Sequence, residues 1–275
     1  MDINKLNKIE EACKINPLES IEYPPVAISF GEKLLKSKTK DLLLPIPIGT
    51  YGNFSFVQAP PKTKKTFLIS LLASVYLSGS NNFGGKLKGH RDKKRILHID
   101  TEQGKYHASK TFKRAMDMSG VKDYYDTYAL RSISYKERME FIEYMLFVES
   151  YGLVVLDGIA DLVSDVNNIE ESNNCVQKLM EWTATYNCHI ITVIHSNFGS
   201  DKPTGHLGSF LEKKTETQIQ LEANTVNKDW ITVKCKRSRG YAFETFSFEI
   251  NDLGLPQIVG DLYDILDEKN NETPF

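Results

Sequence analysis

The sequence predicts an α/β protein in three layers, with a mainly parallel central sheet and an antiparallel hairpin added at its C-terminal end. Three observations carry this expectation. Short apolar runs, FSFVQA, RILHIDTE, GLVVLDG and CHIITVIHS, alternate with segments of helical length, which is the rhythm of strands joined by helical crossovers. The second and third runs break into polar residues at their ends, as buried strands do when they emerge at a sheet edge. Towards the end the rhythm changes, and WITVKCKRS and FETFSFEI follow one another across SRGYA with no helix between them.

Taken in order, residues 2–15 form an amphipathic helix with Leu6, Ile9 and Cys13 on one side, stopping before Pro17. From Tyr23 to Pro47 the chain mixes prolines with Lys33, Lys36, Lys38 and Lys40 and the apolar run Leu42 to Leu44, so it reads as an adapter. At Asn53 the pattern becomes strand (FSFVQA), loop (PPKTKK) and helix (TFLISLLASVYLSG). A glycine- and lysine-rich connector leads to RILHIDTE, then a helix over 105–119, a strand over 128–133, a helix over 136–149 and the strand GLVVLDG. The series continues with a helix over 171–186, the strand CHIITVIHS, a polar loop over 197–209, the strand TQIQLEA and the hairpin. Three segments follow: an adapter over 1–45, a core over 46–262 and a polar, frayed tail over 263–275.

Composition narrows the function classes. With 41% hydrophobic and 25% charged residues in a chain of 275, a sizeable core is expected and disorder is not. The net charge of −2 supplies no global field towards nucleic acid or an anionic membrane, so such contacts need local patches. Cys13, Cys175, Cys188 and Cys235 are widely separated, without zinc spacing, and read as reduced thiols. No apolar leader and no spanning run are present in the sequence, which points to the cytoplasm and to no membrane partner.

The candidate chemistry lies at the loops that follow the strands. A phosphate loop needs backbone N–H groups and a lysine around the phosphates at a helix N-terminus, then a serine or threonine hydroxyl for magnesium. Ala59, Pro60, Pro61, Lys62, Thr63, Lys64, Lys65, Thr66 and Phe67 stand in that place; Lys65 and Thr66 fit, while Ala59 and Lys64 occupy both glycine positions of GxxxxGK[ST]. Two prolines remove N–H donors, and a lysine in left-handed backbone costs about 1 kcal/mol more than glycine. The other reading is a lysine-rich surface turn. Asp157, ending LVVLD, has the placement of a carboxylate that orients magnesium, although many α/β proteins end a central strand this way.

Glu102 stands just past the run ILHID, where it can polarise an attacking water; strand alternation puts Asp100 on its side and Thr101 opposite. A pair of solvated carboxylates is the alternative. His195, with Ser196 and Asn197, ends the later strand where a polar group can sense a terminal phosphate, or where a histidine merely completes a sheet edge. Lys234, Lys236, Arg237 and Arg239 crowd the hairpin, either reaching a neighbouring subunit or guarding an exposed edge by charge. Lys86, Lys88, Arg91, Lys93, Lys94 and Arg95 form a second basic cluster, a DNA contact or a charged connector.

Together FVQAPPKTKKTFL, ILHIDTE, GLVVLDGIADLV, IITVIHSN, GHLGS and KRSRG, spread over roughly residues 45–250, resemble the RecA-like P-loop ATPases, in particular the plasmid RepA and DnaB-type hexameric helicase branch with a degenerate Walker A loop. The resemblance implies a RecA-like core, ATP and Mg2+ as cofactors, a homo-oligomer such as a hexamer with nucleotide between subunits, and single-stranded DNA as partner. It implies that Lys65 contacts the β and γ phosphates, that Thr66 and Asp157 hold magnesium, that Glu102 activates water, and that Lys236 and Arg239 act in trans. The segments Ser164 to Glu171 and Asn197 to Ser209 take the places of DNA-facing loops.

Overall fold

The computed structural model describes residues 2–36, 41–79, 85–92, 94–197 and 199–259, so the expected tail at 263–275, and Lys38, Lys40 and Lys93, lie outside the described residues. The chain opens with α1 (Ile3–Cys13), started by the Asp2 side chain, which accepts from the Lys5 N–H, and burying none of its residues. The adapter then proves to be sheet. β1 (Val26–Leu35) and β2 (Leu42–Thr50) pair antiparallel, and β2 runs through the expected boundary at 45/46. Prolines at 45 and 47 sit in β2 because it is an edge strand, where a missing donor costs little.

Next come β3 (Phe54–Ala59) and α2 (Lys65–Ser78), followed by the three-residue β4 (Leu87–Gly89), which pairs with β1 to complete a three-stranded sheet. That small sheet explains an oddity of α2, which buries eleven of its fourteen residues. A helix apolar all round must be covered on all sides, and α2 lies between the large sheet on one side and β1 and β4 on the other. Gly89 permits the contact, since a Cβ there would sit 2.2 Å from the Val75 carbonyl oxygen.

The alternating series follows: β5 (Arg95–Asp100), α3 (Lys105–Ser119), β6 (Tyr125–Ala129), α4 (Tyr135–Val148) and β7 (Tyr151–Asp157). Strand β6 starts three residues before the expected span and stops well short of Ile133, because its register is set by pairing with β5, Ile96 against Tyr125 through Asp100 against Ala129. Then come α5 (Ile169–Tyr186), β8 (His189–His195), α6 (Gly205–Lys214), β9 (Thr217–Ala223), β10 (Ile231–Ser238), β11 (Phe246–Ile250) and β12 (Pro256–Val259). The polar loop expected over 197–209 is corrected, since α6 begins at Gly205 and buries Leu207 and Leu211.

The large sheet has the order β12-β11-β10-β9-β3-β8-β7-β5-β6, parallel from β9 to β6 and antiparallel from β9 to β12. Its C-terminal extension is thus the expected hairpin plus β12. Alternate residues feed two cores: Val57, Val155 and Val193 meet α2 and α3, while Phe56, Leu156 and Ile194 meet α4, α5 and α6. Each fully buried aliphatic side chain contributes roughly 1.5–3 kcal/mol, so these two cores hold the sheet rigid between its helices. The result is the expected three-layer α/β architecture.

Candidate nucleotide site

The strand order decides which side chains meet. β3 and β7 are not neighbours, because β8 lies between them, and β5 lies beyond β7. All four run parallel, so Ala59, His195, Asp157 and Asp100 reach the same edge. The chain leaves β3 towards β5 on one side and leaves β8 towards β9 on the other, which makes the β3/β8 edge a topological switch point, the place where open α/β sheets take ligands.

At that edge the turn from Pro60 to Lys64 leads directly into α2. Lys62 and Lys64 both adopt left-handed backbone, with φ of 66° and 61°, and Lys64 is the N-cap. The conformation a glycine would take is therefore made by lysine. The Thr63 hydroxyl donates to the Pro60 carbonyl at 2.6 Å and closes the turn. The opening N–H groups of α2 have no carbonyl four residues back to reach, and the helix dipole adds positive potential there. Lys65 is buried to 9% exposure, and its ammonium donates to His195 Nδ1 at 3.0 Å and to the Pro60 carbonyl at 3.4 Å.

With Nδ1 facing the Lys65 ammonium, the His195 ring turns Nε2 towards Glu102 Oε1, 3.6 Å away. His195 thus stands between the lysine and the glutamate. The His195 ring beside Glu102 holds that carboxyl below its usual range in spite of burial, and Lys65 adds to the effect. Burial lowers the Lys65 ammonium, partly offset by Glu102 and Asp157. Asp157 is 4% exposed; its burial, with Asp100 and Glu102 nearby, pushes its carboxyl up to about 7, while Lys65 and the Thr66 hydroxyl pull the other way. Asp100 is fully buried and turns back to accept from the Glu102 and Gln103 N–H groups at 3.0 and 2.7 Å. It shapes the bend that carries Glu102 out of the strand.

Comparison with known families bears directly on this edge: the sequence model of a family described as AAA domain matches residues 43–201. The chain belongs to this AAA-domain family. A comparison with curated proteins found no match. The matched span starts inside β2 and ends in the loop after β8, so it contains the phosphate turn, Glu102, Asp157 and His195. An AAA domain is a P-loop nucleotide-binding ATPase domain, and the family generally uses ATP and Mg2+.

Whether the side chains of this AAA-domain chain suit a magnesium ion is decided by Asp157 Oδ2. It is a buried carboxylate oxygen without a hydrogen-bond partner among the described residues, next to the Thr66 hydroxyl. A hard cation held by one hydroxyl, one carboxylate through water, and phosphate oxygens fits that vacancy in hydrogen bonding. No group of three or more His, Cys, Asp or Glu side chains disposed to hold a metal ion by themselves occurs among the described residues, and a site completed by phosphates needs none.

Other expected residues lie elsewhere. The Lys236 ammonium donates to the Asp201 carbonyl, and Arg239 Nη2 donates to the Lys214 carbonyl at 2.6 Å, so within one chain both serve the loop and helix after β8. A bulge between Cys235 and Arg237 shifts the register of β10 against β9 in this basic stretch. The second basic cluster is divided: Lys86, Lys88 and Arg95 pair with Glu244, Glu32 and Asp126, whereas Arg91 and Lys94 lie over the rings of Tyr124 and Tyr51. The Ser164 segment is closed by Glu171, which accepts from the Ser164 N–H and hydroxyl.

Sequence reasoning missed the support beneath the AAA-domain site. The Thr101 hydroxyl lies 2.9 Å from both the Gly158 carbonyl oxygen and Asp161 Oδ2, either of which can accept its proton, fixing the bend after β5 against the turn after β7. Gly158 has φ of 108°, and a Cβ there would lie 2.3 Å from Thr101 Oγ1. The signal was the DG pair in LVVLDG, which marks the turn but not its neighbour.

Proposed function

We propose that the chain is an ATP-hydrolysing protein of RecA/RepA-like kind that works on DNA as a cytoplasmic homo-oligomer, a helicase-like motor or a replication or mobilisation accessory. The supporting observation is the meeting of Lys65, Thr66, His195, Asp157 and Glu102 at one sheet edge from four different segments of sequence. In this reading the triphosphate lies over the opening turn of α2, and Lys65 leaves His195 Nδ1 for the β and γ phosphates. Thr66 and Asp157 would hold magnesium, which would supply charge neutralisation for the phosphates. Glu102, held ionised at neutral pH, accepts a proton from water as the water oxygen bonds to the γ phosphorus and the bond to the β-phosphate oxygen breaks. ADP and phosphate leave. Lys236 and Arg239 serve the site of a neighbouring subunit.

A second reading, a nucleotide-binding scaffold without turnover, is favoured by the turn itself, where two prolines remove donors and two lysines take left-handed backbone. A regulatory ATPase without nucleic acid is the third, favoured by the net charge of −2. ATP hydrolysis measured with and without single-stranded DNA separates them. Turnover stimulated by DNA, lost in Lys65→Ala, supports the motor; binding without turnover supports the scaffold; turnover indifferent to DNA supports the regulator. Glu102→Gln is expected to lower kcat by at least about 100-fold with ATP affinity retained, and unchanged turnover would remove Glu102 from the chemistry.

A further inference from the structure

Gln58 is a fully buried amide in β3, whose other residues are apolar except Ser55, itself satisfied by the Ile48 carbonyl. Burying an amide without partners costs roughly 1–3 kcal/mol by protein mutational measures, so its bonds decide what it does there. Its Nε2 donates to the Ser196 hydroxyl at 3.0 Å and to the Asp201 carbonyl at 2.7 Å, and its Oε1 accepts from Gln218 Nε2 at 2.7 Å. These partners belong to the residue after His195, to the loop between β8 and α6, and to β9. Gln58 itself is the residue before Ala59, where the phosphate turn begins.

The loop after β8 is otherwise tied largely to its own stem. Thr204 donates through N–H and hydroxyl to the His195 carbonyl, at 3.0 and 2.8 Å, and Asn197 N–H donates to the Lys202 carbonyl at 2.9 Å. Among the described residues its bonds across to the sheet converge on Asp201, whose carbonyl takes both Gln58 and Lys236 and whose carboxylate faces Gln220 at 3.4 Å. One backbone carbonyl thus joins the strand of the phosphate turn, the loop, and the hairpin that carries Lys236.

We propose that Gln58 is a positioning residue that couples occupancy of the nucleotide site to the conformation of residues 199–204 in the loop after β8. This rests on the nucleotide reading above and adds the route by which the site is felt outside it. When Lys65 transfers from His195 to phosphate, the end of β8 loses a bond, and Ser196, one residue on, is held by the same amide that holds Asp201. A shift at either end is transmitted through one rigid, two-sided group buried beneath the loop.

The test is hydrogen exchange of the full chain with and without a non-hydrolysable ATP analogue and Mg2+, in the wild type, Gln58→Leu and Gln58→Glu. Leucine keeps the volume and removes the bonds; glutamate keeps the acceptor for Gln218 and removes the donors. The analogue is expected to change exchange over residues 199–204 of the wild type at least about fivefold, and less than about twofold in both variants. Analogue affinity should stay within about threefold in the variants, with kcat falling and KM unchanged, a split that general loosening of the fold would not produce. Analogue binding to the wild type without a loop response, or a wild-type response in either folded variant, overturns the coupling. Failure of the wild type to bind the analogue sinks the nucleotide reading and the coupling with it.

Discussion

Asp157 titrates near 3.8 in an unfolded chain and at about 7 in the fold, since burial and two neighbouring carboxylates oppose its charge. Between those values the native state holds a proton that the unfolded chain has released, so this group makes stability fall as pH rises. Below pH 4 it contributes no penalty; above pH 7 the penalty is complete, roughly 2–4 kcal/mol. Glu102, with its lowered carboxyl, acts in the opposite sense and at lower pH. Asp157→Asn is therefore expected to be more stable than the wild type at pH 8 and similar to it at pH 4, as read by urea unfolding. An equal pH slope in both would place the penalty on another group. At this scale the sequence was most legible where a residue ends a strand: Lys65, Glu102, Asp157 and His195 follow or close apolar runs, and the structure gathers them. Thr101, Asp161 and Gln58 act through neighbours distant in sequence, which no run reveals.

At the scale of elements, the junction of the phosphate turn with α2 carries a local conflict. Lys64 caps the helix in left-handed backbone without a side-chain capping bond, at a cost of about 1 kcal/mol that glycine would not incur. Lys64→Gly is expected to raise stability by up to about 1 kcal/mol, less the entropy glycine adds to the unfolded chain, and to keep or improve ATP affinity. A loss of affinity of tenfold or more would show that the Lys64 ammonium, not the shape of the turn, holds the phosphates. Helices and parallel strands were legible because they are long and periodic. β1 and β2 were not: prolines at 45 and 47 disguise β2, an edge strand, and Gly31, Glu32 and Lys33 interrupt the apolar run of β1, although the all-round apolar character of α2 already called for a cover. α6 was hidden by its glycines at 205 and 208, the second of which lets Pro203 approach, a Cβ there lying 2.6 Å from Pro203.

For the whole molecule, the position of Lys236 and Arg239 on the antiparallel extension, bonded to the loop and helix after β8, makes their service to a neighbour a question of assembly. If Arg239 acts in trans, Lys65→Ala and Arg239→Ala proteins, each inactive alone, should regain up to about a quarter of wild-type ATPase activity when mixed equally, since that share of random interfaces is intact. No recovery in mixed oligomers would return Arg239 to its own chain. The strand order has a further consequence for how the protein matures. Lys65 and His195 are 130 residues apart yet touch only because β8 inserts beside β3, after β5 and β7 are already made. A ribosome that has delivered everything through Asp157 has therefore produced a half-built pocket lacking its central wall, and ligand capture becomes a late event that rewards only the finished sheet.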